Sequence, residues 1–147
     1  GDHRDLHSFP TRRSSDLSKH DFIMVSGASF GAYHAADMVF KFPWAFGKLI
    51  ALSGAFDIKI FMDGFYDNNV YFSNPPDFLS GNLEGDLLNK IRKLHLIFAL
   101  GEHDPCREAN ERMSRILHEK GIGHTLEVWE GFGHDWPWWH KMLVKHL

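Results

Sequence analysis

Cysteine is nearly absent from this 147-residue sequence, which contains only Cys106. A single cysteine cannot form a disulfide within the chain, and the sequence has neither a Cys-x-x-Cys pair nor the Cys/His spacing of a structural zinc site. These absences exclude disulfide-stapled and zinc-finger scaffolds. They also favour a reducing compartment, so we expect the protein to be cytoplasmic.

Long hydrophobic runs and clusters of positive charge are also missing. No stretch reaches the roughly 18 apolar residues that a membrane-spanning helix needs. Lys and Arg are dispersed apart from Arg12 and Arg13, and the formal net charge is −3 with the histidines neutral. Because no basic stripe is present to neutralise phosphates, we expect no nucleic-acid partner, and we expect no membrane span.

The remaining composition is that of one globular domain, with 44% apolar, 24% charged and 14% aromatic residues. Residues 1–20 lack apolar periodicity, and the stretch from His7 to Leu17 resembles the mistaken translation of sequencing-adapter DNA. We therefore interpret residues 1–20 as a disordered or artefactual leader. Residues 21–147 are predicted to be a partial domain.

From Asp21 onward the sequence alternates buried-type strands with helical segments. Short apolar runs predict strands at 22–25, 48–53, 94–100 and 124–129. Helical spacing predicts helices at 30–42, at 107–120 and from Pro137 to the end, whereas 55–89 is rich in turn signals and is predicted to hold loops and short helices. This order predicts an α/β fold with a mostly parallel sheet of about four strands flanked by helices.

A nucleophile motif follows the first predicted strand. Gly27-Ala28-Ser29-Phe30-Gly31 fits the pattern Gly-x-Ser-x-Gly between an apolar run and a helical segment. In such a turn the serine is strained and points from the C-terminal end of the sheet, where open α/β sheets bind ligands. Both glycines are expected to be required, because strand and helix crowd together there. The Phe30 N–H, at the positive end of the helix dipole, is predicted to be an oxyanion donor.

Two further residues complete a predicted Ser-Asp-His triad. A serine hydroxyl needs a base, and the base needs an orienting carboxylate, in the chain order Ser, acid, His for this fold. Asp104 follows the third predicted strand, and His134 lies in a Gly-rich loop after the fourth. Both loops open on the same sheet edge as Ser29. The alternatives are that Asp104 only caps the following helix, and that Ser29 lies in an unreactive turn.

Other acids and histidines compete for these roles. Asp57, which follows the second predicted strand, ranks second as the acid, and Glu102 is a further rival. Among 11 histidines, His103 beside Asp104 is the main competitor for the base. His34 is interpreted as a helical histidine without a catalytic role.

These motifs together resemble a known family. The likeness is carried by segments 24–36, 53–57, 63–82, 101–110 and 134–137, which include Gly-x-Ser-Phe-Gly-Ala-Tyr-His-Ala and Gly-Glu-His-Asp-Pro-Cys. They resemble the bacterial esterases related to esterase D, which is S-formylglutathione hydrolase, over most of the chain from about Asp21. The resemblance implies an α/β-hydrolase fold, a small-molecule ester substrate, no cofactor or metal, and Ser29, Asp104 and His134 as the catalytic triad.

The resemblance also implies that the chain is the C-terminal part of such an enzyme. Members of the family are about twice as long, with strands and a second oxyanion donor before the nucleophile, so this piece alone is expected to be weakly active or inactive. Three alternatives remain: an acyltransferase on the same triad, a non-catalytic binding protein on a hydrolase fold, and a metal hydrolase using His103, Asp104 and His134. No predicted helix carries the His-x-x-x-His pair that would support the last. The sequence predicts no oligomeric state.

Overall fold

The computed structural model describes residues 23–147, so the predicted leader lies outside the described residues. The strands of this part are β1 (Met24–Ala28), β2 (Lys48–Leu52), β3 (His95–Gly101) and β4 (Thr125–Trp129). Its α-helices are α1 (Phe30–Lys41), α2 (Asn68–Phe72), α3 (Pro75–Ser80), α4 (Gly85–Ile91), α5 (Arg107–Glu119) and α6 (Trp136–His146). Short 3-10 helices lie at Pro43–Ala45 and Ile58–Phe61. No helix within 23–147 combines the length and the apolar character needed to cross a membrane.

The four strands form one parallel sheet in the order β1-β2-β3-β4. This arrangement confirms the predicted α/β fold with a parallel sheet of four strands. All residues of β3 after His95 are buried, as expected of a central strand that is covered on both faces. β1 is an edge strand within the described part, and its Met24 side chain is partly exposed.

Two apolar clusters cover the two faces of the sheet. On one face, α1, α5 and the helices between β2 and β3 pack around Phe40, Phe98 and Met113. On the other face, Trp139 and Met142 of α6 pack against β2 and β3. Right-handed crossovers between parallel strands in sequential order place all the connecting helices on one face of the sheet. The C-terminal helix α6 therefore covers the other face.

The first strand lies further along the chain than the sequence predicts. It was expected at 22–25, of which residue 22 lies outside the described residues, and it runs over Met24–Ala28. Ser26 and Gly27 look like a stop signal, yet they pair with Ile50 and Ala51 of β2. A parallel ladder uses backbone groups only, so small and polar residues can continue an edge strand up to the turn.

Candidate active site

Ser29 lies in the turn between β1 and α1, in a backbone conformation that residues other than glycine rarely adopt. Its φ is 54° and its ψ is −119°. The Ser29 N–H donates to the Leu52 carbonyl at 2.8 Å, and the Ser29 carbonyl accepts from the Ala55 N–H at 3.2 Å. The strained turn is therefore held by the end of β2, at the C-terminal edge of the sheet.

His134 lies between Ser29 and Asp104. Its Nε2 is 2.9 Å from Ser29 Oγ, and its Nδ1 is 3.0 Å and 3.1 Å from the two carboxylate oxygens of Asp104. The Asp104 side chain is fully buried, whereas 25% of the His134 side chain is exposed. With the proton on Nδ1, the imidazole donates to the carboxylate and accepts from the serine hydroxyl. The structure thus brings the three predicted residues into one hydrogen-bonded chain.

The Asp104 carboxylate also stabilises the turn before α5. Its Oδ1 accepts from the Cys106 N–H at 2.7 Å, and α5 begins at Arg107. The N-cap of α5 is Cys106, so Asp104 does not itself cap the helix; its carboxylate contacts the turn before α5 and His134. Burial, and after it the nearby Asp104 carboxylate, raises the pKa of the Cys106 thiol to about 11.

The loops after β3 and β4 are joined to each other. Glu102 Oε2 accepts from the Gly131 N–H at 3.0 Å, and the His103 N–H donates to the Phe132 carbonyl at 3.0 Å. A β carbon at Gly101 would lie 2.1 Å from the same carbonyl oxygen, so this approach of the two loops requires glycine. The loop after β3, which carries Asp104, and the loop after β4, which carries His134, therefore form one unit.

Comparison with known proteins gives structural neighbours only. No protein-family model matches the sequence, and no curated protein matches it. The chain is similar to a ferulic acid esterase, with a TM-score of 0.74 and 19% identity over 87% of this chain and 50% of that one. It is also similar to two Staphylococcus aureus proteins, each with a TM-score of 0.64. S-formylglutathione hydrolase FrmB is 19% identical over 88% of this chain and 51% of that one. The fluorophosphonate-binding serine hydrolase FphF is 22% identical over 88% and 54%.

The chain has the α/β-hydrolase fold. This confirms the fold expected from the family resemblance, and at such low identities the likeness establishes the fold alone. The chain spans about half the length of these solved structures. The roles of individual residues therefore rest on their geometry in this structure.

The two glycines of the turn between β1 and α1 are not equivalent. A β carbon at Gly27 would lie 2.2 Å from the Gly31 carbonyl oxygen, which is far inside any real contact. A β carbon at Gly31 would meet no described atom within 4 Å. The expectation that both positions require glycine is right for Gly27 and wrong for Gly31. The backbone carbonyl of Gly31 lies against Gly27 of β1, whereas a side chain at position 31 would point into open space.

The rival acids and bases lie outside the hydrogen-bonded chain. Asp57 accepts from Arg112 at 2.9 Å and anchors the segment between β2 and β3. The Glu102 carboxylate accepts from the Gly131 N–H in the loop after β4. The His103 side chain is 72% exposed, with Glu102 at 3.7 Å. His34 is exposed on α1, as interpreted from the sequence.

A metal-binding arrangement fits these residues less well than a triad. Among the described residues, ligand atoms of Asp104, Cys106 and His134 lie within 4.8 Å of one another. His103 is not part of this group, which contradicts the ligand set of the metal-hydrolase alternative. The His134 nitrogens are already hydrogen bonded to Ser29 and Asp104.

The predicted oxyanion donor lies at the start of α1. Phe30 is the first residue of that helix, so its N–H has no acceptor within the helix. Its ring is 46% exposed and packs edge-on against Phe61, which comes from the segment after β2. The oxyanion role of the Phe30 N–H stays a prediction, supported by this position next to Ser29.

Sequence reasoning missed the contact between Ser53 and Trp139, whose ring lies beside His134. Ser53 directly follows β2, is fully buried and has a φ of 51°. Its Oγ accepts from Trp139 Nε1 at 2.8 Å, and the Trp139 ring packs against the His134 ring. The signal in the sequence was Ser53, a polar residue at the end of a buried strand. A buried hydroxyl needs a hydrogen-bond partner, so this position indicated an unidentified contact.

Proposed function

We propose that the protein is a serine hydrolase that cleaves carboxylic esters of small molecules through an acyl-enzyme. The observation that carries the proposal is the hydrogen-bonded chain from Ser29 through His134 to the buried Asp104. Support also comes from the names of the structural neighbours, which include an esterase, an S-formylglutathione hydrolase and a serine hydrolase that binds fluorophosphonate. The cytoplasmic location expected from the cysteine content stays a prediction.

The proposed reaction begins with attack of Ser29 Oγ on the ester carbonyl carbon. His134 Nε2 takes the serine proton, and the Phe30 N–H donates to the oxyanion of the tetrahedral intermediate. His134 then gives the proton to the leaving alcohol, which departs and leaves the acyl group on Ser29. Water, deprotonated by the same nitrogen, attacks the acyl-enzyme; His134 then gives this proton to Ser29 Oγ as the carboxylic acid departs, which restores the free serine. Asp104 holds the Nδ1–H tautomer and stabilises the imidazolium at each transfer.

The proposal concerns the activity of the whole protein. The chain covers about half the length of the three neighbours described above, and β1 is an edge strand of the described sheet. We expect only weak turnover from these residues alone, because removal of a single oxyanion donor already costs on the order of 10²–10³ in rate. No step of this mechanism uses a cofactor or a metal.

Covalent labelling tests the proposal directly. A fluorophosphonate reacts with a serine that a neighbouring base activates, so mass-spectrometric mapping should find the label on Ser29. Ser29→Ala and His134→Ala should abolish labelling. Ser26→Ala, a matched control in β1 only three residues away, should retain it. The experiment uses the whole protein, because only weak turnover is expected from these residues alone. A folded whole protein that stays unlabelled, or that is labelled at another serine, would overturn the proposal and favour a binding protein on a hydrolase fold.

A further inference from the structure

We propose that Ser53 and Trp139 form a positioning pair that fixes the orientation of the His134 imidazole. This inference rests on the proposed function and adds two residues to it. Both lie outside the Ser-His-Asp chain, and both are buried, with exposed fractions of 0% and 7%. Neither is expected to touch the substrate.

The first step is the contact between two rings. The Trp139 and His134 ring centroids are 4.8 Å apart, and the ring planes cross at 84°. The hydrogen bonds to Asp104 and Ser29 hold the two ring nitrogens of His134, and a perpendicular indole against the imidazole limits rotation of the ring plane. A catalytic imidazole needs both constraints, since misplacement by about 1 Å is enough to cost 10²-fold in rate.

The second step is what holds the indole. Trp139 Nε1–H donates to Ser53 Oγ at 2.8 Å, and both side chains are buried. Leu52 directly precedes Ser53, and its carbonyl accepts from the Ser29 N–H. The Ser53 N–H in turn donates to the Ala99 carbonyl of β3 at 2.8 Å. Two consecutive residues at the end of β2 thus hold the turn of the nucleophile and, through Trp139, the ring of the base.

The backbone at Ser53 supports a specific role for the hydroxyl. A φ of 51° is unusual for serine, and such conformations persist only where the surroundings determine them. Glycine would fit this backbone with less strain but would leave the buried indole N–H without an acceptor. The serine hydroxyl is therefore the feature of this position that the structure uses.

Three variants separate positioning from packing. Ser53→Ala removes the acceptor, and Trp139→Phe keeps an aromatic ring but removes the donor. Trp138→Phe is the matched control on the same helix, because the Trp138 ring stacks on Phe132 with centroids 4.5 Å apart. The measurements are the rate of fluorophosphonate reaction at Ser29, kcat and KM for p-nitrophenyl acetate, and the downfield proton NMR signal of His134 Nδ1–H, assigned with His134→Ala.

We expect Ser53→Ala and Trp139→Phe to lower kcat and the phosphonylation rate by about 10-fold or more at unchanged KM. The Nδ1 proton signal should broaden or disappear in both variants and persist in Trp138→Phe. If both variants have unchanged rates and an unchanged signal, and only the melting temperature falls, then Ser53 and Trp139 contribute to core packing alone and the inference is overturned.

The two proposals fail in distinguishable ways. A whole parent protein that does not label at Ser29 contradicts the proposed function, while the Nδ1 proton signal still decides whether the pair orients His134. If Trp139→Phe does not fold, Ser53→Ala decides, since it removes a single oxygen atom. Circular dichroism of each variant establishes that it is folded before rates are compared.

Discussion

The Asp104 side chain is fully buried, and its carboxylate accepts hydrogen bonds from groups that only the folded chain brings together. An unpaired buried carboxylate would be costly, but this one accepts from His134 and from the Cys106 N–H. Asp57, the rival acid, is partly exposed and pairs with Arg112 on the surface of the segment after β2. The two carboxylates therefore differ in environment, and mutation of each should affect a different property.

We predict that Asp104→Asn lowers kcat by about 10³–10⁴, because an amide at this position favours the wrong imidazole tautomer. Asp57→Asn is the control, and it should leave kcat within a few-fold while reducing stability by about 1 kcal/mol through loss of the Arg112 pair. Ester hydrolysis and urea unfolding of both variants measure the two effects. A large loss of kcat in Asp57→Asn alone would move the role of the acid to Asp57.

The residues of the proposed triad could be predicted from the sequence because each follows a strand and their chain order fits the fold. Ser53 and Trp139 could not. A serine at the end of a strand looks like a turn residue, and a tryptophan among other aromatics looks like core packing. Their hydrogen bond joins positions 86 residues apart, so only the tertiary structure brings donor and acceptor together.

At the scale of secondary-structure elements, the β1–α1 turn makes the sharpest prediction. Gly27→Ala places a β carbon against the backbone carbonyl of Gly31, which cannot move without displacing the helix. We expect this variant to lose several kcal/mol of unfolding free energy, on the order of 3 or more, or not to fold. Gly31→Ala should be neutral or stabilising by up to about 1 kcal/mol, since alanine is the better helix former.

Urea unfolding of the two glycine variants, followed by circular dichroism, measures both effects. Equal destabilisation by Gly27→Ala and Gly31→Ala would contradict this geometry. It would support the expectation from the motif that both positions require glycine. A stable Gly27→Ala protein would mean that β1 and α1 approach each other less closely than the structure shows.

Element positions could be predicted from the sequence where the elements are long. The helix α5 matches its prediction within a residue, because Met113, Ile116 and Leu117 repeat at helical spacing and are buried. The short helices α2, α3 and α4 have five to seven residues, too few for a periodic signal. Their place is set instead by side chains such as the buried Asn74, which donates to both Asp57 and Asp77.

At the scale of the whole molecule, one face of the sheet depends on α6, and Glu127 of β4 ties that helix to the sheet. Its carboxylate accepts hydrogen bonds from Lys145 and His146 near the C-terminus and from Trp129. Burial on its own would raise the pKa of Glu127, but the hydrogen bonds outweigh it and hold the pKa below its usual range. These hydrogen bonds should therefore make the unfolding free energy depend on pH in the acid range.

The sign follows from proton binding. With a lowered pKa in the folded state, the Glu127 carboxyl binds protons more weakly than in the unfolded chain, so the unfolded state takes up more protons below the ordinary Glu pKa of about 4.3. The stabilisation is fully present above that pH and is lost as the pH falls through the lower folded value. Asp77 acts in the same direction: burial opposes the shift, but hydrogen bonds from Asn74, Lys59 and Tyr66 lower its pKa.

We predict that Glu127→Gln lowers the unfolding free energy by about 1 kcal/mol at neutral pH. The difference from the parent should shrink below about pH 4, where the parent also loses the charge. Glu130→Gln, which changes an exposed carboxylate just after β4, should stay within about 0.5 kcal/mol of the parent at both pH values. Urea unfolding at neutral and acid pH measures these differences. A Glu127→Gln deficit that stays constant with pH would mean that the side chain contributes through packing, and that its charge does not hold α6 on the sheet.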